Sequence, residues 1–149
     1  MVVARTGFLK LKRDTVEACV GKVMPIKYER DDVRRLITVS MEGPFDTPSL
    51  VGTLDRQLAE GTWQYARLYD ERGVTVAPTS QQIRALLEAV RQRLREHGPR
   101  GPVAVLTDQP AHFGMVRMYM TLAEEEPSVS VFRDPGGAER WLAERGHTR

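Results

Sequence analysis

The sequence predicts a single α/β domain with a mixed, mainly parallel sheet, an N-terminal antiparallel hairpin and about four helices. Short runs of β-branched residues alternate with amphipathic helical stretches from residue 25 onward. The first two runs are separated by only a few residues, so we expect them to pair as a hairpin. The later runs are separated by helices, and connections of that kind produce parallel strands.

Two short strands begin the domain. Ile26–Arg30 alternates apolar and polar residues, and Leu36–Glu42 (LITVSME) is rich in β-branched residues. The turn Asp31-Asp32 lies between them, and Gly43-Pro44 ends the second strand.

The first helix is predicted from its end signals and its apolar face. Thr47-Pro48 supplies a hydroxyl N-cap with proline at the first helical position, and Gly61 supplies the stop. The residues that fall on one face are Leu50, Val51, Leu54 and Leu58.

The middle of the chain combines a short strand with the clearest helix. Ala66–Asp70 (ARLYD) is predicted as a strand, and Glu71–Thr79 as a loop because it contains glycine and proline. The helix Ser80–His97 has apolar residues at helical spacing and ends at Gly98-Pro99. Its apolar stripe consists of Ile83, Leu86, Leu87, Val90 and Leu94.

Two further strand–helix units complete the domain. Val103–Leu106 is a continuous apolar run, typical of a strand buried on both faces. The next helix runs from Pro110 to about Glu125, because Pro127 forbids its continuation. Val129–Phe132 is the last strand. Asp134-Pro135 then opens a final helix that ends at Gly146, with Ala138, Trp141 and Leu142 facing inward.

These elements and their sequences resemble the STAS superfamily, and most closely the small bacterial SpoIIAA-like proteins. The stretches that carry the resemblance are MPIKYERDDVRRLITVSMEGPF, ARLYDERGVTVAPTSQQIRAL, PVAVLTDQPAHFGMVRMYMTLAEE and VSVFRDPGGAERWL. They span Met24 to about Leu142. The resemblance implies a regulatory protein that binds other proteins. A related branch resembles the CRAL-TRIO lipid-binding fold, which implies an apolar ligand as the alternative.

In anti-sigma-factor antagonists, a serine at the start of the helix after the central strand is phosphorylated by a partner kinase. The resemblance places Thr79 and Ser80 at that point. This chain has a longer loop there, with Pro78, and lacks a glycine after Ser80. The structural alternative is that one of the two hydroxyls only caps the helix.

Asp70 and Arg72 are candidates for a functional rim at the end of the central strand. A carboxylate beside a cation suits acid–base work, but the neighbouring sequence offers no nucleophile with a base. The alternative is a solvated turn with a local ion pair. We therefore expect no enzyme activity and no catalytic residues.

The helix from Pro110 carries an unusually broad apolar arc. Polar and small residues occupy only about a hundred degrees of the helix circumference, so the apolar arc covers most of the rest. Packing on a sheet needs an apolar stripe of only about a hundred degrees or somewhat more, so part of the apolar arc is left over. The sequence thus predicts a homodimer face or an apolar ligand groove, and burial between the sheet and other helices is the alternative. The candidate residues are Phe113, Met115, Met118, Tyr119 and Leu122.

Composition excludes several classes of function. The net charge is only +2, with basic and acidic residues interspersed, so nucleic-acid binding is not expected. No apolar run is long enough to cross a membrane. The histidines His97, His112 and His147 lack metal-ligand spacing, and no cofactor motif is present. The single cysteine, Cys19, fits a reducing, cytoplasmic compartment.

Residues 1–24 differ from the rest because their apolar residues follow no sustained period. We predict an N-terminal extension over 1–24 and the STAS-like domain over 25–149. Translation starting at Met24 is the alternative. The predicted function is a non-catalytic regulatory or protein-interaction module that can form a homodimer, and the alternative is a carrier for a lipid or other small apolar molecule.

Overall fold

A computed structural model describes residues 25–124, 126 and 128–145. The predicted N-terminal extension with Cys19, the helix stop at Gly146 and the residues Glu125, Pro127 and His147 lie outside the described residues.

The predicted hairpin forms the first edge of the sheet. Strands β1 (Ile26–Asp31) and β2 (Leu36–Pro44) are antiparallel, and their register runs from Ile26 opposite Met41 to Asp31 opposite Leu36. The side chain of Asp31 accepts a hydrogen bond of 3.0 Å from the backbone of Arg34, which fixes the turn.

The remaining strands continue the sheet in sequence order. Strands β3 (Ala66–Val76), β4 (Val103–Leu106) and β5 (Val129–Phe132) each run parallel to the strand before them, and the order is β1-β2-β3-β4-β5. The predicted mixed, mainly parallel sheet with an antiparallel edge is therefore confirmed.

The prediction of a loop over Glu71–Thr79 is wrong for Glu71–Val76, because β3 continues to Val76. Its added residues pair only with β2, up to Val76 opposite Pro44, through an irregular register. Gly73 makes this possible, since a Cβ there would lie 2.7 Å from the carbonyl oxygen of Met41. The glycine that signals a loop in the sequence instead permits close approach of two strands.

Four helices follow β2, β3, β4 and β5. They are α1 (Thr47–Glu60), α2 (Ser80–His97), α3 (Pro110–Leu122) and α4 (Pro135–Glu144). Two predicted helix ends need correction. The N-cap of α1 is Asp46, whose carboxylate accepts from the backbone of Ser49 at 3.0 Å, rather than Thr47. Helix α3 ends at Leu122, before the predicted Glu125.

The helices lie on both faces of the sheet, three on one and one on the other. On the first face α1, α2 and α3 cover the largest core cluster, which includes Val39, Leu50 and Ile83. On the second face α4 buries Ala138 and Leu142 against Leu68 and Ala104. Strands β2 to β5 are added to the sheet in one direction, and crossover connections between parallel strands are right-handed as a rule. The three connecting helices therefore lie on the same face of the sheet, which explains the three-helix layer.

Candidate functional site

The carboxyl edge of the parallel strands forms the candidate functional site. Strands β2 to β5 end at this edge, and each is followed there by the start of a helix. Open α/β sheets bind their ligands outside the carboxyl ends of the strands, where helix N-termini also offer unpaired N–H groups.

The two candidate phosphosites at the start of α2 have different roles. Thr79 is the N-cap, because its hydroxyl accepts from the backbone N–H of Gln82 at 3.1 Å. The Gln82 side chain accepts in return from the Thr79 backbone at 2.9 Å, which completes a capping box. Ser80, the first residue of the helix, is exposed, and its hydroxyl forms no hydrogen bond with the described residues.

The side chain of Gln82 also links the start of α2 to its neighbour. Its amide donates to the carbonyl of Phe45 at 3.3 Å, and the hydroxyl of Thr47 donates to the carbonyl of Gln82 at 3.3 Å. The starts of α1 and α2 are therefore joined through side chains, so a change at the first turn of α2 reaches the connection between β2 and α1.

Asp70 and Arg72 form the predicted local ion pair. The Arg72 guanidinium donates two bonds to the Asp70 carboxylate, at 2.9 and 2.8 Å, and both residues lie within β3 because that strand extends to Val76. Hydrogen bonds from Arg72 lower the pKa of Asp70 below its usual value, although partial burial opposes the effect. The pair marks the position where β4 stops, since Asp70 lies opposite Leu106, the last residue of that strand.

A buried pair that the sequence did not reveal lies directly beneath this edge. Nε2 of His112, in the first turn of α3, is 2.5 Å from Oε1 of Glu71 on β3, and both residues are buried. Nδ1 of His112 is buried and has no hydrogen-bond partner among the described residues. Strand alternation is the sequence signal that indicates the burial of Glu71. This residue stands two positions after the buried Tyr69 and so faces the same side of the sheet.

The candidate residues of helix α3 are more buried than the sequence suggested. Tyr119, one of the candidate surface residues, is buried with 6% of its area exposed. The other candidates are half-buried, namely Phe113, Met115, Met118 and Leu122. The outward face of the helix is formed by the exposed residues Gly114, Arg117 and Thr121, and Glu124, just after the helix, is also exposed.

An internal cavity of about 60 Å³ lies between the sheet and the three-helix layer. Leu54 of α1, Ile83 of α2 and Val116 of α3 contribute apolar walls, together with Val105 of β4. Glu71 and His112 line it near the carboxyl edge. The cavity therefore lies against α3, the helix for which the sequence predicts an apolar ligand groove or a homodimer face.

Arg100 and Tyr119, which also line the cavity, belong to a second buried polar cluster. Arg100 pairs with Glu126 through two hydrogen bonds, and the Tyr119 hydroxyl donates to Glu126 Oε1 at 3.0 Å. Burial is the largest single effect on the pKa of Arg100 and lowers it, but the charge and hydrogen bonding of Glu126, together with the electrostatic effects of Tyr119 and Tyr69, outweigh burial and raise the pKa above its usual value. This pairing also explains why α3 ends early, since the chain must leave the helix to bring Glu126 inward.

Arg67 is a further buried cation, with none of its area exposed. It donates to Gln57 Oε1 and to three backbone carbonyls, of which that of Tyr65 lies at 2.9 Å. Burial lowers the pKa of Arg67 to about 9, and the neighbouring charge of Arg100 adds to the effect. Because its bonds are to carbonyls of the connecting loops, this residue holds the amino edge of the sheet together.

The described residues contain neither a cluster of metal ligands nor a helix suited to crossing a membrane. Residues 25–124, 126 and 128–145 contain no group of three or more His, Cys, Asp or Glu side chains suited to a metal ion. Within the same ranges, no helix combines the length and the apolar content that a membrane crossing requires.

Comparison with known proteins identifies the fold. No family model matches the chain, and no curated protein matches it in sequence. Among solved structures, the chain is similar to the crystal structure of an anti-sigma factor antagonist from Mycobacterium paratuberculosis. The TM-score is 0.53 with 16% sequence identity, and the match covers 80% of this chain and 94% of that chain. The likeness confirms the STAS-type fold that the sequence resemblance predicted.

Proposed function

We propose that this domain is a non-catalytic regulatory module that binds a protein partner at the carboxyl edge of its sheet, around Ser80. The fold is shared with a protein described as an anti-sigma factor antagonist, and such a protein acts on another protein. The observation that carries the proposal is the free, exposed hydroxyl of Ser80 at the start of an 18-residue helix. Thr79 already performs the capping, so Ser80 is available for modification.

Phosphorylation of Ser80 would change this edge strongly. A phosphate carries about −1.5 to −2 charges at neutral pH, and the N-terminus of a helix favours negative charge. Arg84 is exposed and follows Ser80 by one helical turn, so a phosphate can pair with it. The edge would change from a surface with balanced charge near Asp70 and Arg72 to an anionic one.

The regulatory role is tested by phosphorylation and by partner binding together. The full chain is incubated with ATP and a kinase-containing extract of its host, and phosphosites are mapped by mass spectrometry. We expect phosphate on Ser80 and none on Ser49, a matched serine near the start of α1 whose hydroxyl donates to Asp46 at 2.7 Å.

Partner binding is then compared between the full chain and its Ser80→Ala and Ser80→Glu variants. We expect Ser80→Ala to retain a stoichiometric protein partner in the presence of ATP, and Ser80→Glu to lose it. An unmodified Ser80, together with equal partner recovery by both variants, would contradict the proposed switch. The module is expected to work in the cytoplasm, where such kinases and partners occur.

A homodimer through α3 is part of the proposal, supported by the half-buried apolar flanks of that helix. Size-exclusion chromatography with light scattering tests it on the full chain. We expect a dimer that Met118→Glu dissociates, whereas Thr121→Glu, on the exposed polar face, has a smaller effect. A monomer at all concentrations would remove this part of the proposal and leave partner binding untouched.

A carrier for an apolar molecule is the second candidate function, and the internal cavity favours it. Pockets for typical ligands enclose about 300–1,000 Å³. With about 60 Å³, the cavity supports a small molecule better than a lipid chain. Native mass spectrometry of the protein from its host tests this function, since it reports a bound molecule directly.

A further inference from the structure

We propose that the internal cavity is a binding site for a small, mostly apolar molecule that donates one hydrogen bond, from an O–H or N–H group, to Nδ1 of His112. The inference rests on the second candidate function, which it makes specific, and it does not depend on phosphorylation of Ser80. The apolar walls of the cavity, the unpaired Nδ1 of His112 and the cavity volume support it.

The walls require an apolar ligand. Side chains of three helices and three strands line the cavity, and most of them are aliphatic, as with Leu54, Val105 and Val116. These residues are buried, with at most 7% of their area exposed. A fully polar molecule would lose its hydrogen bonds to water there without replacement, which is costly.

His112 supplies the polar feature of the site. Its Nε2 faces the carboxylate of Glu71, and a carboxylate accepts hydrogen bonds, so the proton is assigned to Nε2. Nδ1 is then a hydrogen-bond acceptor. Among the buried side-chain nitrogen and oxygen atoms of the described residues, Nδ1 is the one without a hydrogen-bond partner. A buried acceptor without a donor is unfavourable, so a molecule that supplies one is bound more tightly than an otherwise equal molecule that does not.

The orientation of His112 is fixed before any ligand binds. The imidazole is held by Glu71 on one side and meets the ring of Phe45 edge-on, with centroids 6.1 Å apart. Gln109, just before α3, donates to the carbonyl of Val74 at 2.6 Å, which ties the start of the helix to β3. A preorganised acceptor of this kind adds specificity, because little conformational freedom is lost on binding.

Size narrows the ligand class further. A cavity needs about 10–15 Å³ of such volume to hold one water molecule, so a cavity of about 60 Å³ has room for roughly four to six non-hydrogen atoms. Met115, Met118 and Met120 of α3 pack against the same core, and flexible methionines allow modest expansion. A small alcohol or a five-membered aromatic ring with an N–H group meets these conditions.

The test uses pyrrole and furan as probes, because the two rings have nearly the same size and only pyrrole carries an N–H donor. Each is titrated into the full chain, and backbone amide shifts are followed by NMR. We expect saturable shifts in the first turn of α3 and in β3, with pyrrole binding about tenfold more tightly than furan, the difference expected for one unsatisfied buried acceptor.

Three variants test the site, two for its location and one for the acceptor Nδ1 of His112. Val116→Leu fills the cavity and should abolish binding of both probes, whereas Val33→Leu makes the same change at a residue that is 92% exposed and should leave binding intact. His112→Phe removes Nδ1 and should abolish the preference for pyrrole. Thermal unfolding confirms that each variant is folded.

The outcomes separate the inference from the function on which it rests. Equal, saturable binding of pyrrole and furan would overturn the role of His112 and leave an apolar site standing. Saturable binding of neither probe would overturn the site itself. Binding of both that survives Val116→Leu would place it outside the cavity and would also overturn the inference.

Discussion

Glu71 and His112, separated by 41 residues in sequence, form a single buried unit in which carboxylate and imidazole lie 2.5 Å apart. Removing one partner leaves the other buried and unpaired. We therefore expect Glu71→Ala and His112→Ala each to lower the free energy of unfolding by about 3 kcal/mol in urea denaturation. The loss of stability in the double variant should be smaller than the sum of the two single losses, by at least about 1 kcal/mol.

Glu88→Ala is the control for this cycle, because Glu88 pairs with Arg95 at 3.7 Å on an exposed surface. It should change stability by less than about 1 kcal/mol. Strictly additive effects of the Glu71 and His112 substitutions would show that the two side chains do not act as a unit.

The Asp70–Arg72 pair predicts a pH dependence at the acid end. Since Arg72 lowers the pKa of Asp70 in the folded state, the contribution to stability is present above the unfolded value of about 3.9 and is lost as pH falls through the folded value. NMR titration of the Asp70 carboxyl should show Arg72→Gln raising its pKa toward the usual value. Arg84→Gln, which alters an exposed arginine of α2, should leave it unchanged. The effect on stability should stay below about 1 kcal/mol, because Arg72 is largely exposed.

Tyr119 predicts a second pH dependence, at the alkaline end. Burial raises the pKa of this phenol above its usual value; the charge of Arg100 opposes the shift, and that of Glu126 adds to it. The folded state then keeps its proton to higher pH than the unfolded chain, so the contribution to stability is full below about pH 10 and is lost as pH rises through the folded value. Tyrosinate absorbance should show one fewer late-ionising tyrosine in Tyr119→Phe, and that variant should lose about 1 kcal/mol at neutral pH. An unchanged titration curve would contradict this reading.

Gly101 and Gly52 provide opposite predictions for the same substitution. A Cβ at Gly101 would overlap the carbonyl oxygens of Tyr65 and Gln64, so Gly101→Ala should lower the free energy of unfolding by about 1–3 kcal/mol. Gly52 lies in α1 with open space around it, and Gly52→Ala should raise stability by about 0.5–1 kcal/mol. Thermal or chemical unfolding measures both, and a neutral Gly101→Ala would refute the close approach.

Alanine substitutions of Thr79 and Ser80 should have different effects on the free energy of unfolding, because only the Thr79 hydroxyl caps the helix. Thr79→Ala removes the N-cap of α2 and should cost about 1 kcal/mol, whereas Ser80→Ala should change stability by less than about 0.5 kcal/mol. The comparison also serves the functional test, because it shows that Ser80→Ala does not act through unfolding. Equal losses in urea denaturation would show that both hydroxyls cap the helix.

Much of the fold could be predicted because its signals are local. The stripe of Ile83, Leu87 and Val90 requires only neighbouring residues to define a helix, and these three are buried as expected. The extension of β3 could not be predicted, because it depends on pairing with Glu42–Pro44, which are far away in sequence. Gly73 is read as a loop signal until the partner strand is known.

The candidate site was only partly predictable for the same reason. The position of Ser80 followed from the helix start, and the Asp70–Arg72 pair from proximity in sequence. Strand alternation predicts the burial of Glu71 only once β3 is known to continue past Asp70, and a charged residue is expected at the surface unless a partner such as His112 is known. The pairing of Arg100 with Glu126 likewise requires the packed layers to bring two loops together.

The strand order β1-β2-β3-β4-β5 has a consequence for how the chain folds. Each strand pairs only with its neighbours along the chain, so every pairing closes a loop no longer than one turn or one helical crossover. A shorter connection costs less closure entropy than a longer one, and folding is faster when paired strands are closer in sequence. We expect this domain to fold faster than an α/β protein of equal length whose strand order reverses, with the sheet growing from the hairpin outward in the direction of synthesis.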